Sequence, residues 1–309
     1  MALIKQREEA EIFISDRFQQ AVSLHVLKNL LKRVEAQVPL LLGIHGPSGE
    51  GKTFQCEHIL KDMGVKRFLV SGGQLDNPIA GHPSAFIRNT YIKASESIRS
   101  GGASLAVVLV NDVDTGLGTW GKSEKHTINQ INVFGELMHL VDYPSLVDGK
   151  ETTRVPIIIT GNDFTKLYNP LVRAGRMSAF EWIPTTQEKA EIIQAIFPEL
   201  TGDECYKLVV ELNEQLMGEL PEQIKFLPVA FFSHLRANLL DEDLWDEVEE
   251  TGLDKTVDSI LRGFEPDLSS KIYYERVLEK GMELARSGKL INHLQASSLV
   301  NWRQGERKG

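Results

Sequence analysis

A phosphate-loop pattern near the start of the chain constrains the fold more than any other feature. Residues 46–53 match G-x-x-x-x-G-K-[ST], directly after the apolar run Pro39–His45, a predicted strand, and before a predicted helix, Phe54–Met63. A strand, a glycine-rich turn and a helix in this order are the context that the pattern needs. The predicted binding segment consists of Gly46, Pro47, Ser48, Gly49, Glu50, Gly51, Lys52 and Thr53.

The chemistry of this segment follows from its residue types. Glycines let backbone N–H groups approach a phosphate with no Cβ in the way, and the start of the following helix presents its positive end to the same anion. Lys52 can reach the β- and γ-phosphates of ATP, and the Thr53 hydroxyl can bind Mg²⁺. The sequence therefore predicts a site for ATP and Mg²⁺ rather than a chance glycine turn.

Four further apolar runs, separated by segments long enough for crossover helices, predict a parallel sheet covered on both faces. After Pro184 the pattern changes to apolar residues at helical spacing. The predicted fold class is α/β: a P-loop domain with a parallel five-stranded sheet, followed by a smaller all-helical lid domain. The four runs are Arg67–Ser71, Leu105–Val110, Val155–Thr160 and Phe180–Ile183.

The same patterns predict the domain boundaries. We expect an N-terminal helical lead-in, a nucleotide-binding domain, a helical lid domain, and a tail or linker, at residues 1–38, 39–184, 185–300 and 301–309. In the lead-in, apolar residues recur at three- and four-residue spacing, which predicts an amphipathic helix. These residues are Leu24, Leu27, Leu30, Leu31 and Val34.

Polar residues follow two of the predicted strands. Leu105–Val110 runs into Asn111 and Asp112, and a P-loop ATPase needs a carboxylate there for the metal and the attacking water. We assign this role to Asp112, acting on Mg²⁺ through water, on the attacking water, or on both, with Asp114 as the reserve. Asn162, after the other strand, is a candidate for holding the attacking water, and an Asn that stabilises a turn is an equally good interpretation.

The charge balance argues against several classes of partner. The chain carries 34 Lys and Arg against 43 Asp and Glu, a formal charge of −9, whereas binding to nucleic acid needs cations that neutralise phosphates. No stretch approaches the roughly 20 apolar residues that span a bilayer. The first residues lack a signal-peptide core and are rich in glutamate. We expect no nucleic acid, no membrane, and a cytoplasmic protein or a mature protein without its leader.

Several segments together resemble Rubisco activase, a family of AAA+ ATPases, and its cyanobacterial form most. The resemblance spans roughly residues 35–300 and includes Asn111-Asp112, where most AAA+ proteins carry Asp-Glu. This shared departure makes the resemblance more specific than a P-loop alone. The segments are Gly43–Cys56, Val110–Asp114, Arg154–Phe164, Leu171–Met177 and Phe231–Ala237.

The resemblance implies a hexameric ring that hydrolyses ATP and pulls on the large subunit of Rubisco through a central pore, releasing inhibitory sugar phosphates. It implies that Arg173 and Arg176 act on the neighbouring subunit's nucleotide and that Arg236 is a sensor on the lid. Taken alone, each is an ordinary surface arginine. The implied location is the cyanobacterial cytosol, the carboxysome, or the plastid stroma.

The resemblance also implies two glycine-rich pore loops, 71–81 and 115–126. Their contact residues would be Gln74, Leu75, Trp120 and Lys122, and a Trp120 folded back onto the core is the alternative. Cyanobacterial activases often continue into a domain like the Rubisco small subunit. This chain ends at Gly309, which we interpret as either a natural end or a position within a linker.

Two other functions fit the motifs. The first is an AAA+ ATPase that acts on nucleic acid, against which the acidic balance and the lack of an aromatic and basic stripe both count. The second is an ATP-gated assembly protein with negligible turnover, which the amide of Asn111 in place of a carboxylate favours. Salt-dependent DNA binding and an ATP turnover assay separate these from the activase interpretation.

Overall fold

A computed structural model describes residues 12–31, 38–75, 81–114, 128–216, 226–263 and 270–287. The chain divides into two compact units, one from Ile14 to Ile183 and another that contains the described residues from Pro184 onwards. Most of the two predicted pore loops and the whole predicted tail lie outside the described ranges. Within those ranges, no helix is both long enough and apolar enough to cross a membrane.

A five-stranded parallel sheet forms the centre of the first unit, as predicted. Its order is β2-β3-β6-β1-β7, and every neighbouring pair is parallel. The carboxyl ends of β3, β6 and β1 therefore lie side by side at one edge. The strands are β1 (Leu41–His45), β2 (Lys66–Ser71), β3 (Ala106–Asn111), β6 (Ile157–Gly161) and β7 (Met177–Glu181), with a separate hairpin of β4 (Leu146–Val147) and β5 (Lys150–Glu151).

Two long helices pack against one face of this sheet around a shared apolar core. The three central strands are buried almost throughout, and Tyr91 and Leu137 of two long helices join their core without exposure to solvent. Burial of such side chains contributes roughly 1.5–3 kcal/mol each. The helices are α1 (Asp16–Leu30), α2 (Lys52–Asp62), α3 (Gly72–Leu75), α4 (His82–Arg99), α5 (Ile128–Asp142) and α6 (Asn169–Val172), with a 3₁₀ turn at Phe164–Lys166.

The last strand lies earlier in the chain than predicted. We expected Phe180–Ile183, and β7 runs from Met177 to Glu181. It is an edge strand with one neighbour, β1, and only Met177 of its five residues is buried. This strand therefore lacks the continuous apolar run that marks the inner strands. The fully buried Trp182, which we predicted to lie within the strand, follows it.

Helix α1 is shorter than the predicted lead-in helix and buries a different face. Its buried residues are Phe18, Val22, His25, Val26 and Asn29. The predicted leucine stripe is exposed by 39–60% at Leu24, Leu27, Leu30 and Leu31, and Val34 lies outside the described residues. The prediction followed the leucines, whereas an aromatic and two β-branched residues four positions apart form the packed face, together with two polar residues.

His25 makes the stability of this unit depend on pH. Burial lowers the pKa of His25 from 6.5 to about 4, although the backbone groups of Ile157 and Leu40 oppose the shift. The unfolded chain therefore binds more protons between these values, and stability is lost as pH falls from about 6.5 towards 4. We expect a loss of about 2 kcal/mol between pH 7 and pH 5, measured by urea unfolding.

His25→Gln is the matched control for this prediction because it keeps a polar side chain that does not titrate. We expect the loss between pH 7 and pH 5 to shrink by about 2 kcal/mol in this variant. An identical pH dependence in both proteins would contradict the assignment to His25.

The second unit is helical throughout its described residues, as predicted. Capping boxes start its first two helices: Thr185 with Glu188, and Thr201 with Glu204, exchange side-chain and backbone hydrogen bonds, and such caps contribute about 1 kcal/mol each. Pro228 precedes the longest helix, as expected for proline at a helix start. The helices are α7 (Thr186–Ile196), α8 (Gly202–Gln215), α9 (Val229–Thr251), α10 (Leu253–Leu261) and α11 (Tyr274–Arg286).

Candidate nucleotide site

The loop between β1 and α2 requires glycine for steric reasons. Gly49 and Gly51 have φ values of 77° and 74°, in the left-handed region that favours glycine. At Gly46, a Cβ would lie 2.0 Å from the carbonyl oxygen of Trp182, so any side chain there would displace the loop. The backbone of residues 46–51 therefore holds a conformation that the glycines in the sequence pattern make possible.

The start of α2 is suited to an anion. Gly51 is its N-cap residue and provides no side-chain hydrogen bond, and the first turn contains no acidic residue. The first N–H groups of a helix have no partner within it and carry a partial positive charge. The helix therefore presents unneutralised donors at the place where the motif predicts phosphates.

Trp182 supports this loop from behind, and the sequence interpretation missed it. Its backbone N–H donates to the His45 carbonyl at 2.7 Å, and its indole N–H donates to the Glu50 carbonyl, also at 2.7 Å. The indole is fully buried, with the Phe18 ring edge-on at 5.2 Å and the Arg17 guanidinium 4.5 Å above it. A buried indole usually finds an acceptor for its N–H. A tryptophan in an apolar segment of the sequence could therefore have been expected to hold a neighbouring backbone carbonyl.

Lys52 has all three of its ammonium hydrogens engaged. Its Nζ donates to the Gly46 and Pro47 carbonyls at 2.8 Å each and to Oδ1 of Asn162 at 2.9 Å. Only 6% of the residue is exposed. Burial lowers the pKa of Lys52, and the negative charges of Asp112, Asp114 and Glu50 oppose that shift.

The contact between Lys52 and Asn162 joins two predicted site residues that are 110 positions apart. It arises because β6 is the immediate neighbour of β1, with His45 opposite Gly161 in the register. Asn162 is half-buried and points its amide oxygen at the ammonium. The asparagine therefore contacts the phosphate loop. An asparagine that only stabilised a turn would not need this contact.

Thr160 is a second residue that the sequence interpretation did not single out. Its hydroxyl lies 3.5 Å from the Thr53 hydroxyl, accepts from the Asp112 backbone N–H at 3.2 Å, and donates to Oδ1 of Asn111 at 3.4 Å. It thus links the motif's threonine to the end of β3. Thr160 is a polar residue near the end of a buried apolar strand, and this position could have marked it in the sequence as a candidate site residue.

The two candidate carboxylates have different environments. Asp112 is exposed and has a φ of 51°, an uncommon left-handed conformation for a residue with a side chain. Asp114 is only 4% exposed, and its Oδ2 accepts from the backbone N–H groups of Asn162 and Asp163. The accessible carboxylate is therefore that of Asp112, whereas Asp114 faces the protein interior.

The two neighbouring arginines also differ. Arg176 donates to both carboxylate oxygens of Asp142, at 2.8 and 3.3 Å, and to the Pro170 carbonyl at 3.0 Å. Arg173 is exposed, and its guanidinium makes no hydrogen bond or ion pair to any described residue. Of the two predicted trans-acting arginines, Arg173 therefore has the side chain that is available to a partner.

Arg236 forms an ion pair within the helical unit. Its guanidinium donates to both carboxylate oxygens of Glu199, at 2.6 and 2.8 Å, and lies 5.4 Å from the centre of the Phe197 ring. Arg236, the predicted sensor, lies on α9, and its side chain is held by Glu199, a residue that the sequence analysis did not name. A bidentate pair of this kind fixes both position and orientation.

Of the four predicted pore contacts, two lie within the described residues, and they differ in exposure. Leu75 is only 1% exposed and belongs to the α/β core, because the short helix α3 turns it inwards, so the expectation that it grips a partner needs correction. Gln74 is exposed, and its side-chain carbonyl accepts from the Ser71 N–H at 2.9 Å. Trp120 and Lys122 lie outside the described residues.

The site and fold agree with a comparison to known families. Residues 42–185 match the model described as ATPase family associated with various cellular activities (AAA). This range contains the phosphate loop, the β3 and β6 ends and the arginine segment. This segment is therefore similar to the AAA ATPases, and the similarity implies nucleotide binding.

Comparison with individual proteins indicates a narrower group of similar proteins. The chain is 35% identical over 292 residues to ribulose bisphosphate carboxylase/oxygenase activase 1, chloroplastic, of Nicotiana tabacum, which covers 92% of this chain and 63% of that protein. It is 39% identical over 259 residues to the activase of Anabaena sp., which covers 82% of this chain and 60% of that protein. The chain is therefore similar to Rubisco activases over most of its own length, and it spans about three fifths of the length of these relatives.

Proposed function

We propose that the chain is an ATPase that uses Mg²⁺ and ATP to remodel Rubisco. The observation that carries the ATPase part is the hydrogen bond of 2.9 Å between Lys52 and Asn162. It joins a cation at the start of α2 to a neutral amide directly after β6, at the mouth of the phosphate loop. Enzymes that transfer phosphoryl groups use one group to stabilise the phosphate charge and another to orient the nucleophile, and these two residues can supply both.

The described residues fit Mg²⁺ held jointly with phosphates. Within the described ranges, no group of three or more His, Cys, Asp or Glu can hold a metal on its own, and Mg²⁺ typically binds through one or two protein ligands plus phosphate oxygens. The Thr53 hydroxyl and the Asp112 carboxylate would hold it. When bound, the ion would neutralise charge on the β- and γ-phosphates.

Each remaining residue has a proposed task. Backbone N–H groups of Gly46, Ser48, Gly49, Glu50 and Gly51 surround the phosphates, whereas Pro47 belongs to the same loop but has no N–H to donate. Lys52 exchanges carbonyl partners for phosphate oxygens. Asn162 holds the attacking water, and Asp112 polarises it. Arg173 and Arg176 stabilise the transferred phosphate from a neighbouring subunit, and the accessible Arg173 guanidinium supports its part more than the paired Arg176. Arg236 senses nucleotide after leaving Glu199.

The proposed partner comes from the names of the relatives, and the proposed assembly from the similarity to AAA ATPases. The relatives' names state activity on ribulose bisphosphate carboxylase/oxygenase, and we propose the large subunit of Rubisco as the target. We further propose a hexameric ring in which Gln74, Trp120 and Lys122 contact the partner, and domains at residues 39–184 and 185–300. Relatives named as chloroplastic and relatives from cyanobacteria support the plastid stroma, the cyanobacterial cytosol or the carboxysome.

Reactivation of inhibited Rubisco tests this proposal. Rubisco loaded with its inhibitory sugar bisphosphate is incubated with the chain and either ATP or a non-hydrolysable analogue, using one cyanobacterial and one plant Rubisco. We expect carboxylation to recover with ATP and not with the analogue, because the proposed remodelling requires ATP hydrolysis. The Lys52→Ala variant is the control, and it should give no recovery with either nucleotide.

The other outcomes separate the parts of the proposal. ATP turnover without reactivation of either Rubisco would contradict the partner and leave the ATPase. Reactivation with the analogue would support the gated assembly function instead of a motor. Neither turnover nor reactivation would contradict both parts.

A further inference from the structure

The geometry points to Asp114 as the positioning residue that fixes Asn162 against Lys52. This inference rests on the proposed ATPase function and deepens it, since it adds a residue that touches neither phosphate nor metal. Asp114 lies just beyond the end of β3, and Asn162 follows the end of β6, so the contact joins two neighbouring strands.

The first observation is a pair of backbone hydrogen bonds to one carboxylate oxygen. Oδ2 of Asp114 accepts from the N–H of Asn162 at 3.0 Å and from the N–H of Asp163 at 3.1 Å. Hydrogen bonds to an ionised acceptor are roughly twice as strong as neutral ones. Two consecutive peptide groups are thereby held, which fixes the direction in which the Asn162 side chain leaves the backbone.

The second observation concerns Gly161, the residue before Asn162. A Cβ at Gly161 would lie 2.8 Å from Oδ1 of Asp114 and 2.8 Å from the Phe164 ring. Real Cβ atoms do not approach this closely, so the carboxylate and the ring both pack tightly against the side of Gly161 where a side chain would lie. The strand end is therefore held by hydrogen bonds at Asn162 and Asp163 and by close packing at Gly161.

The third observation is the cost of placing a carboxylate here. Asp114 is 4% exposed, and its buried Oδ1 has no hydrogen-bond partner among the described residues. A buried polar atom without a partner typically costs about 1–3 kcal/mol. An apolar residue would avoid that cost, so the carboxylate is explained by what its other oxygen holds in place.

The expected effect follows from the distance that this arrangement sets. Without Oδ2, the Asn162–Asp163 backbone loses both anchors, and Asn162 need not stay 2.9 Å from Lys52. A displacement of about 1 Å at a catalytic group can cost about a hundredfold in rate. We therefore expect Asp114→Ala to lower kcat about a hundredfold while KM for ATP changes little, because the phosphate loop itself is intact.

A double-mutant cycle distinguishes positioning from a general loss of stability. If Asp114 acts through Asn162, the double variant Asp114→Ala/Asn162→Ala should be no slower than Asn162→Ala alone. Gly161→Ala disturbs the same backbone while leaving the carboxylate in place, and it should also lower kcat. Glu136→Gln is the matched control, since it alters another buried carboxylate of this unit, paired with Arg88 at 2.5 and 3.0 Å, and should leave kcat unchanged.

Hydrogen exchange of the Asn162 and Asp163 amides tests the contact without turnover. Both amides should exchange slowly in the wild-type chain and much faster in Asp114→Ala. Asp114→Leu, which also removes both oxygens but keeps most of the side-chain volume, provides the same comparison if the alanine variant does not fold. Unchanged exchange, or rate losses that add in the double variant, would overturn the inference. A wild-type chain with no ATP turnover would contradict the proposed function, and the exchange result would still decide the role of Asp114.

Discussion

Lys52→Ala is expected to abolish ATP turnover, with a fall of about a thousandfold or more. The ammonium is the cation nearest to the predicted phosphates, and its buried position gives its charge more effect than in water. Affinity for ATP should fall about ten- to a hundredfold, as expected when a charge-assisted hydrogen bond is lost. The measurements are steady-state phosphate release and the binding of a fluorescent ATP analogue.

Lys61→Ala is the matched control for this substitution. Lys61 lies in the last turn of the same helix, α2, and is exposed, so its loss removes an equal charge far from the helix start. Its turnover should match the wild type. The unfolding midpoint of Lys52→Ala should also be measured, because three acceptors lose their donor. Turnover at the wild-type rate in a folded Lys52→Ala chain would remove the phosphate loop from the mechanism.

Arg173→Ala is expected to lower turnover about a thousandfold in the assembled protein, with ATP affinity nearly unchanged. The reason is that an arginine supplied by a neighbouring subunit stabilises charge that develops only during phosphoryl transfer. The exposed side chain of Arg173 should leave the free energy of unfolding unaffected. Phosphate release, nucleotide binding and thermal unfolding together distinguish this outcome from misfolding.

Mixing two inactive variants tests whether Arg173 acts between subunits. Lys52→Ala chains keep the arginine, and Arg173→Ala chains keep the phosphate loop, so a mixed assembly contains some complete sites. Turnover should reappear on mixing, and its absence from a confirmed mixed assembly would contradict a trans role. Arg176→Ala is the comparison: losing its bonds to Asp142 and Pro170 should reduce stability by about 1–3 kcal/mol as well as turnover.

The parts of the fold that the sequence predicted are those in which one local signal dominates. The phosphate loop has a fixed spacing of glycines and lysine, and the strands at 41–45, 106–111 and 157–161 are continuous apolar runs. Edge strand β7 and helix α1 were predicted less well, because the pattern of exposed and buried residues in each depends on which neighbour packs against it. Local periodicity does not contain that information.

Within the candidate site, residue types were predictable but partnerships were not. Asp112 and Asn162 could be named because polar residues at strand ends meet at one edge of a parallel sheet. The contacts of Thr160 with Thr53 and of Asp114 with Asn162 depend on β6 lying between β3 and β1, an order that the sequence does not state. For the same reason, Arg173 and Arg176 were indistinguishable until the position of Asp142 was known.

The attachment of Trp182 has a mechanical consequence. Its backbone N–H donates to His45 at the end of β1, and its indole N–H donates to Glu50 in the phosphate loop, at 2.7 Å in both cases. The helical unit begins two residues later at Pro184. Any displacement of the loop around Glu50 must therefore either break one of these bonds or carry Trp182 with it. The phosphate loop is thus tied by a side-chain hydrogen bond to the chain segment that leads directly into the second unit.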